Sequence, residues 1–277
     1  MDVLKIDFEQ RDAKQLFAAS LHHTGFAVLN NHPIDTHLID EIYNEWTDFF
    51  AREEKFNYQF NAETQDGYFP ISISEKAKGA ELKDLKEFYQ YYTWGQFPKS
   101  ISSKTHTLFQ QLTQLSCNLL TWLESELPLD IAQKLSMPLS KMIAGSEQTM
   151  LRILHYPPFT GNEPVGAVRA AAHEDINLIT LLVGATSSGL QIKDNFDKWH
   201  DVPCTKESIV VNVGDMLELA TQNYYRSTTH RVINPEHTNT ARLSMPLFLH
   251  PDPAVSLSPQ KTAGQYLYER LVELGLK

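Results

Sequence analysis

Ala172-His173-Glu174-Asp175-Ile176-Asn177 stands directly before the apolar run Leu178-Ile179-Thr180-Leu181-Leu182-Val183, with Ala170 and Ala171 ahead of it. The run has the length and the β-branched content of a buried strand, and the small alanines leave room beside His173. Working outward, the chain from Thr149 on is cut into similar short runs between turn signals: 150–156, 167–172, 178–183, 190–193, 208–212, 216–219, 228–233 and 242–249. So many closely spaced strands predict two packed antiparallel sheets, a jelly roll, rather than alternating strand–helix units.

Ahead of Thr149 the period is mostly helical. Residues 13–22 predict a helix between short strands at 4–8 and 25–29. From Thr36 the residues Leu38, Ile39, Ile42, Trp46, Phe49 and Phe50 recur at helical spacing, and a long helix over 100–127 carries Leu108, Leu112, Leu115 and Leu119 on one stripe. Residues 58–74 read as loop, 82–94 stays open between strand and helix, and 263–274 predicts a last helix. The fold class is therefore mixed α+β: a jelly-roll core, a double-stranded β-helix, under an N-terminal helical cover and closed by a C-terminal helix. No repeat or Pro/Gly/Ser linker divides the chain. One domain is expected, 1–277, with the helical part at 1–148, the core at 149–250 and the last helix within 251–277.

The 277 residues are 42% hydrophobic and 21% charged, ordinary for a globular protein. A formal charge of −10 argues against nucleic acid or an anionic membrane as partner. It does not bar a small anionic ligand, because a local arginine outweighs the global field at short range. Cys117 and Cys204 are far apart and read as free thiols. Met1–Asp7 carries no apolar signal region and no run approaches a membrane span, so a cytoplasmic setting is expected. The composition is silent on oligomeric state.

In a strand, residues i and i+2 point to one face, so His173 and Asp175 can reach one metal ion together. Glu174 alternates away. A third ligand must come from another strand, and His230 lies inside one, in Thr229-His230-Arg231. Two histidines and one carboxylate make the facial set that binds Fe(II) and leaves positions open for a co-substrate and dioxygen. A lone His-x-Asp is weak evidence: His250-Pro251-Asp252 is a second one, but its central proline makes it a turn at a strand end. Arg242 and Ser244, again i and i+2, follow His230 in the next strand. A guanidinium beside a hydroxyl is a receptor for a carboxylate such as the distal one of 2-oxoglutarate.

Further landmarks fall in a fixed order: Gly25-Phe26-Ala27-Val28-Leu29-Asn30-Asn31-His32-Pro33-Ile34, Phe49-Phe50, Gly67-Tyr68, Asp84-Leu85-Lys86-Glu87-Phe88, and Leu151-Arg152-Ile153-Leu154-His155-Tyr156-Pro157-Pro158. Gly189-Leu190-Gln191-Ile192, Trp199, Val211-Asn212-Val213-Gly214-Asp215 and Ser227-x-x-His230-Arg231-Val232 complete the series. Over nearly the full length this resembles the isopenicillin N synthase-like branch of the Fe(II)/2-oxoglutarate-dependent dioxygenases. The resemblance implies a jelly-roll core with His173, Asp175 and His230 as iron ligands and with Arg242 and Ser244 on the 2-oxoglutarate carboxylate. It adds Tyr156 as a third partner of that acid. Three positions depart from the family. Leu154 replaces an asparagine frequent in plant members, Asn223 stands at a usual turn glycine, and Pro33 replaces a glycine and cannot take positive φ.

The reading is an enzyme that uses Fe(II), 2-oxoglutarate and O2 to oxidise, by default hydroxylate, a small molecule with release of CO2 and succinate. If the strand into His173 runs straight, Arg169 and Asn177 share its face, and they are expected to meet the substrate, Arg169 through an anionic group. Phe88 and Tyr91, from the segment resembling the family's cover over the site, and Phe248 are candidate apolar walls. Two rivals stay open. His-Glu-Asp is the form found in isopenicillin N synthase, so Arg242 and Ser244 could hold the carboxylate of a substrate in an oxidase that needs no 2-oxoglutarate. A non-catalytic jelly-roll binder is the other.

Overall fold

The computed structural model describes residues 2–73, 84–161, 168–184, 189–233 and 239–273. The apolar run after Asn177 forms a strand, β7 (Ile179–Val183), inside an eight-stranded sheet. Its neighbours are β10 (Ile209–Val213) and β12 (Arg242–Leu249), both antiparallel to it. Beyond β10 come β2 (Phe26–Asn30) and β1 (Lys5–Asp7); beyond β12 come β5 (Met150–Tyr156), β4 (Glu87–Tyr91) and β3 (Gly67–Phe69). A four-stranded sheet joins β6 (Ala170–His173), β11 (His230–Val232), β8 (Leu190–Lys193) and β9 (Trp199–Asp201) in that order. The short pair β13 (Ser256–Ser258) and β14 (Lys261–Thr262) leads into the last helix.

Strand alternation divides the large sheet into two differently filled faces. Ala27, Leu29, Leu181, Val183, Ile209, Val211, Leu243, Met245, Leu151 and Ile153 point outward into the main core. There they meet α1 (Ala13–Thr24), α2 (Thr36–Ala51) and α3 (Lys104–Ser125), through Phe17, Trp46 and Leu112 among others. Trp46 is fully buried and donates its indole N–H to Thr105 Oγ1 at 3.0 Å, so even the polar edge of this ring is satisfied. The opposite residues, Phe26, Val28 and Val210, pack against Ala170, Leu190, Ile192 and Val232 of the small sheet. This second interior is thin and leaves inward positions for polar residues.

Jelly roll, helical cover and closing helix thus appear as the periodicity predicts, with local differences. Residues 216–219 are not a strand. They belong to a helix, α5 (Asp215–Ala220), after the short α4 (Leu129–Ala132). Met216, Leu217 and Ala220 are its buried residues, and one short apolar run satisfies either period. The loop expected over 58–74 contains β3, and 82–94 resolves as β4, so the N-terminal part adds four strands to the large sheet. β9 was not foreseen from its three residues. The last helix, α6, is described over Ala263–Glu273; residue 274 of the expected span lies outside the described residues, as do 74, 82, 83 and 167 of their segments.

The turn around Pro33 takes its positive φ at Asn31 (51°), two residues earlier, and Asn223 holds the left-handed conformation at 64°. Gly25, at φ 71°, caps α1, where an added Cβ would stand 2.3 Å from Thr228 Oγ1. This contact sets α1 against the segment that leads into His230.

Candidate metal centre and cleft

β6 and β11 pair with His173 directly opposite His230, their rings 4.3 Å apart. Each ring presses Nδ1 onto the carbonyl two residues earlier: His173 on Ala171 O at 2.7 Å, His230 on Thr228 O at 3.1 Å. A carbonyl only accepts, so both Nδ1 atoms carry the proton and both Nε2 lone pairs are left for a metal. Asp175 Oδ1 is 3.8 Å from each Nε2. Ligand atoms of the three side chains lie within 4.8 Å of one another, the one such cluster found among the described residues.

β6 ends at His173, so Asp175 reaches the cluster from the following loop rather than from a continuing strand. Its second oxygen is held. Oδ2 accepts from Thr180 Oγ1 at 2.5 Å and from Asn212 Nδ2 at 2.8 Å. The loop is held as well: Asp215 N, at the start of α5, donates to Asp175 O at 2.7 Å. Burial pushes the Asp175 carboxyl up, but His230, His173 and the two hydrogen bonds outweigh it, and the net shift is downward. Burial, then His230, holds the His173 imidazole down to about 4, so at neutral pH it is in the neutral form that binds metal. The residues fit a divalent cation of borderline softness: two imidazoles with fixed tautomers and one ionised carboxylate.

Thr180 and Asn212 were not foreseen as part of the site. Each is a single polar residue inside an otherwise apolar buried strand, and that is the signal that could have found them.

Arg242 pairs with Tyr156 across β12 and β5, and Ser244 with Leu154. All three candidate acid-binding residues are buried, with exposures of 1% for Arg242, 2% for Ser244 and 2% for Tyr156. Arg242 Nη1 donates to Ser244 Oγ at 3.3 Å, and its guanidinium carbon is 5.1 Å from the Tyr156 ring centre. They point to the same side of β12 as Phe248, which pairs with Thr180 and so stands near the Asp175 anchor.

Beside the cluster opens a cleft of about 750 Å³, lined by His173, Asp175, Arg152, Lys86, Phe248 and residues of α6. Of the expected substrate residues, Phe248 lines it. Phe88 lies beneath the lining cations Arg152 and Lys86. Tyr91 is on the other face of β4, its hydroxyl 2.7 Å from His106 Nδ1 among Phe97 and Phe109, because residues three apart in a strand cannot share a face.

Arg169 and Asn177, also expected to meet the substrate, do not line the cleft. Between β6 and β11 the register slips: His173 faces His230 but Ala170 faces Val232, three residues against two. This bulge turns Ala170, not Arg169, to the side of His173. Arg169 is instead buried over the rings of Tyr156 and Phe159, with Nη2 donating to Thr240 O at 2.7 Å. Asn177 is fully buried and donates to Ile179 O and Thr180 Oγ1, so it steadies the loop and does not reach the cleft.

A jelly roll with a two-histidine, one-carboxylate face defines a class of non-haem iron protein, and comparison with known proteins narrows it. Residues 147–251 match the model of the 2OG-Fe(II) oxygenase superfamily, and residues 3–111 that of the N-terminal region of non-haem dioxygenases of morphine synthesis. A crystal structure from Shewanella oneidensis, assigned as an oxygenase by name only, is 49% identical with a TM-score of 0.91, each chain covering 100% of the other. Isopenicillin N synthase of Streptomyces griseus is 24% identical over 94% of this chain and 86% of its own. A 2-oxoglutarate-dependent dioxygenase of Monascus ruber is 37% identical over 42% of this chain, a match that spans only 35% of that relative. The chain belongs to the 2OG-Fe(II) oxygenase superfamily.

Proposed function

We propose that the protein is an Fe(II)- and 2-oxoglutarate-dependent dioxygenase that oxidises a small molecule, by default to a hydroxylated product. The observation that supports this reading is the His173, Asp175, His230 cluster together with the buried Arg242–Ser244 pair, which shares the face of β12 that carries Phe248, the cross-strand partner of Thr180. Iron, when bound, supplies the centre at which dioxygen and 2-oxoglutarate react to give CO2, succinate and an oxidant able to take hydrogen from a substrate. The chain does the rest. His173 and His230 present unprotonated Nε2 atoms, and Asp175 presents Oδ1 while Thr180 and Asn212 hold Oδ2. Arg242 offers its fork to the distal carboxylate of 2-oxoglutarate, Ser244 and Tyr156 add hydroxyl donors, and burial excludes water that would compete for them. The charge of −10 supports a small molecule over nucleic acid as the substrate.

The test is anaerobic addition of 2-oxoglutarate to the Fe(II) protein. A new visible charge-transfer band is expected. Its absence, with turnover of a substrate that needs no 2-oxoglutarate, would move the protein to the oxidase reading in which Arg242 holds the substrate. Arg242→Lys keeps the charge but loses the planar fork, so the concentration of 2-oxoglutarate giving half the band should rise on the order of tenfold.

A further inference from the structure

We propose that the cleft takes a small organic acid whose carboxylate sits between Arg152 and Lys86. This rests on the function proposed above only in treating the cleft as the substrate site. Arg152 on β5 and Lys86, one residue ahead of β4, both line the cleft. The two cations stand over one ring: the Arg152 guanidinium carbon is 4.6 Å and Lys86 Nζ 6.0 Å from the centre of Phe88. Phe88 stacks in turn on Phe69, ring centres 4.6 Å apart and planes 12° apart. The cations therefore rest on a stiff aromatic layer, which reduces the rotamer freedom they lose on binding. Arg152 is also 5.3 Å from the ring of Phe248, and Gln90, its amide oriented to satisfy both neighbours, accepts from Arg152 Nη2 at 2.8 Å. Asp84 Oδ2 holds Lys86 Nζ at 2.7 Å, while Asp84 Oδ1 accepts from Ala171 N at 2.9 Å, two residues before His173. The cationic wall is tied to the strand that carries the metal cluster.

Asp84, Glu174 and Asp175 share the cleft, as does Glu63. Asp175 belongs to the cluster, Glu174 Oε1 accepts from Thr229 Oγ1 at 2.8 Å, and Asp84 is divided between Lys86 and the backbone of β6. A guanidinium fork beside an ammonium matches a carboxylate in shape and charge, and nearby Met150, Ile176, Leu267 and Leu271 give an apolar surround in which that attraction is strengthened. The same apolar residues suit a hydrocarbon body. An acid anchored at Arg152 and Lys86 would lay its C–H bonds toward His173 and Asp175, and that end is the one an iron oxidant must reach. The anion receptor expected at Arg169 is thus assigned to a different wall, because Arg169 does not line the cleft.

Crystals of the full chain soaked in sodium bromide provide the direct test. Bromide is expected between Arg152 and Lys86, and should be lost in Arg152→Met and in Lys86→Met; the second variant covers the case in which loss of the packed Arg152 prevents folding. Bromide at Arg242 with none at Arg152 and Lys86 would overturn this inference and leave the proposed function standing. Bromide at Arg152 and Lys86 with none at Arg242 would support it and count against the 2-oxoglutarate site. With Fe(II) and 2-oxoglutarate present, CO2 release should be stimulated by acids and not by their primary amides. The half-saturating concentration of an active acid should rise at least about tenfold in Lys86→Met. A neutral amide as effective as its parent acid overturns the assignment.

Discussion

At the proposed metal centre, Asp175 shows how much of such a site lies beyond the ligand atoms. Oδ1 faces the two histidines, while Oδ2 is tied to Thr180 and Asn212, which fixes the plane of the carboxylate. Asp175→Ala should abolish Fe(II) binding measured by anaerobic titration and leave the circular dichroism spectrum intact; retained stoichiometric binding would transfer the role to another carboxylate. Thr180→Val is nearly isosteric and removes one anchor without touching a ligand. It should weaken Fe(II) binding about tenfold to a hundredfold, as loss of such supporting partners does. An unchanged iron affinity would mean that Asn212 alone orients the carboxylate. His173 was legible in the sequence because small residues precede it and a strand follows it. Arg169 was misread because a bulge leaves no mark in a run of alanines.

At the scale of elements, the metal loop is clamped between β7 and α5. Gly214 N donates to Leu178 O, and an added Cβ on Gly214 would stand 2.2 Å from Asn177 O and 2.5 Å from Asn177 Oδ1. The backbone of α5 can approach this closely only without a side chain there. Gly214→Ala should cost about 2 kcal/mol or more, visible as a lower denaturant midpoint. It should also lower iron affinity, because the Asp215 N–H bond to Asp175 O depends on the same approach. Stability loss with unchanged iron affinity would uncouple α5 from the centre. The outer side of β4 has a different task. Glu87 accepts from His155, Lys55 and Tyr68 away from the cleft, and these bonds hold its carboxyl below the usual range despite burial. The Asp-Leu-Lys-Glu-Phe landmark thus splits by alternation, Lys86 and Phe88 to the cleft side and Glu87 to the packing side.

For the whole molecule, two imidazoles that line the cleft resist protonation, and stability without metal must follow pH accordingly. Burial holds His250, which lines the cleft, down to about 4, as it does His173. Their ordinary value is 6.5, so between pH 6.5 and about 4 the unfolded chain binds protons that the folded one refuses. The stabilisation is complete above 6.5 and is lost as pH falls through that window. The melting temperature of the metal-free protein should therefore drop from pH 7 to pH 5, and His250→Asn should flatten part of the slope, on the order of 1 kcal/mol. An equal slope in the variant would assign the effect to other groups.

What the sequence determined by itself was periodic or chemical. Alternating and helical spacing gave strands, helices and the jelly-roll class, because side-chain direction follows backbone period without knowledge of the partner. The residue types at 173, 175 and 230, and at 242 and 244, pointed to the metal set and the acid receptor proposed here, because few side chains can do either. Only the tertiary structure decided what depends on register and on close approach. The slip between β6 and β11 took Arg169 out of the expected line, the docking of α5 fixed the loop that carries Asp175, and the inner faces of β4 and β5 brought Lys86 and Arg152 together over Phe88. A one-residue shift in pairing reverses every side chain beyond it, and no local pattern in a single strand records the partner against which it is counted.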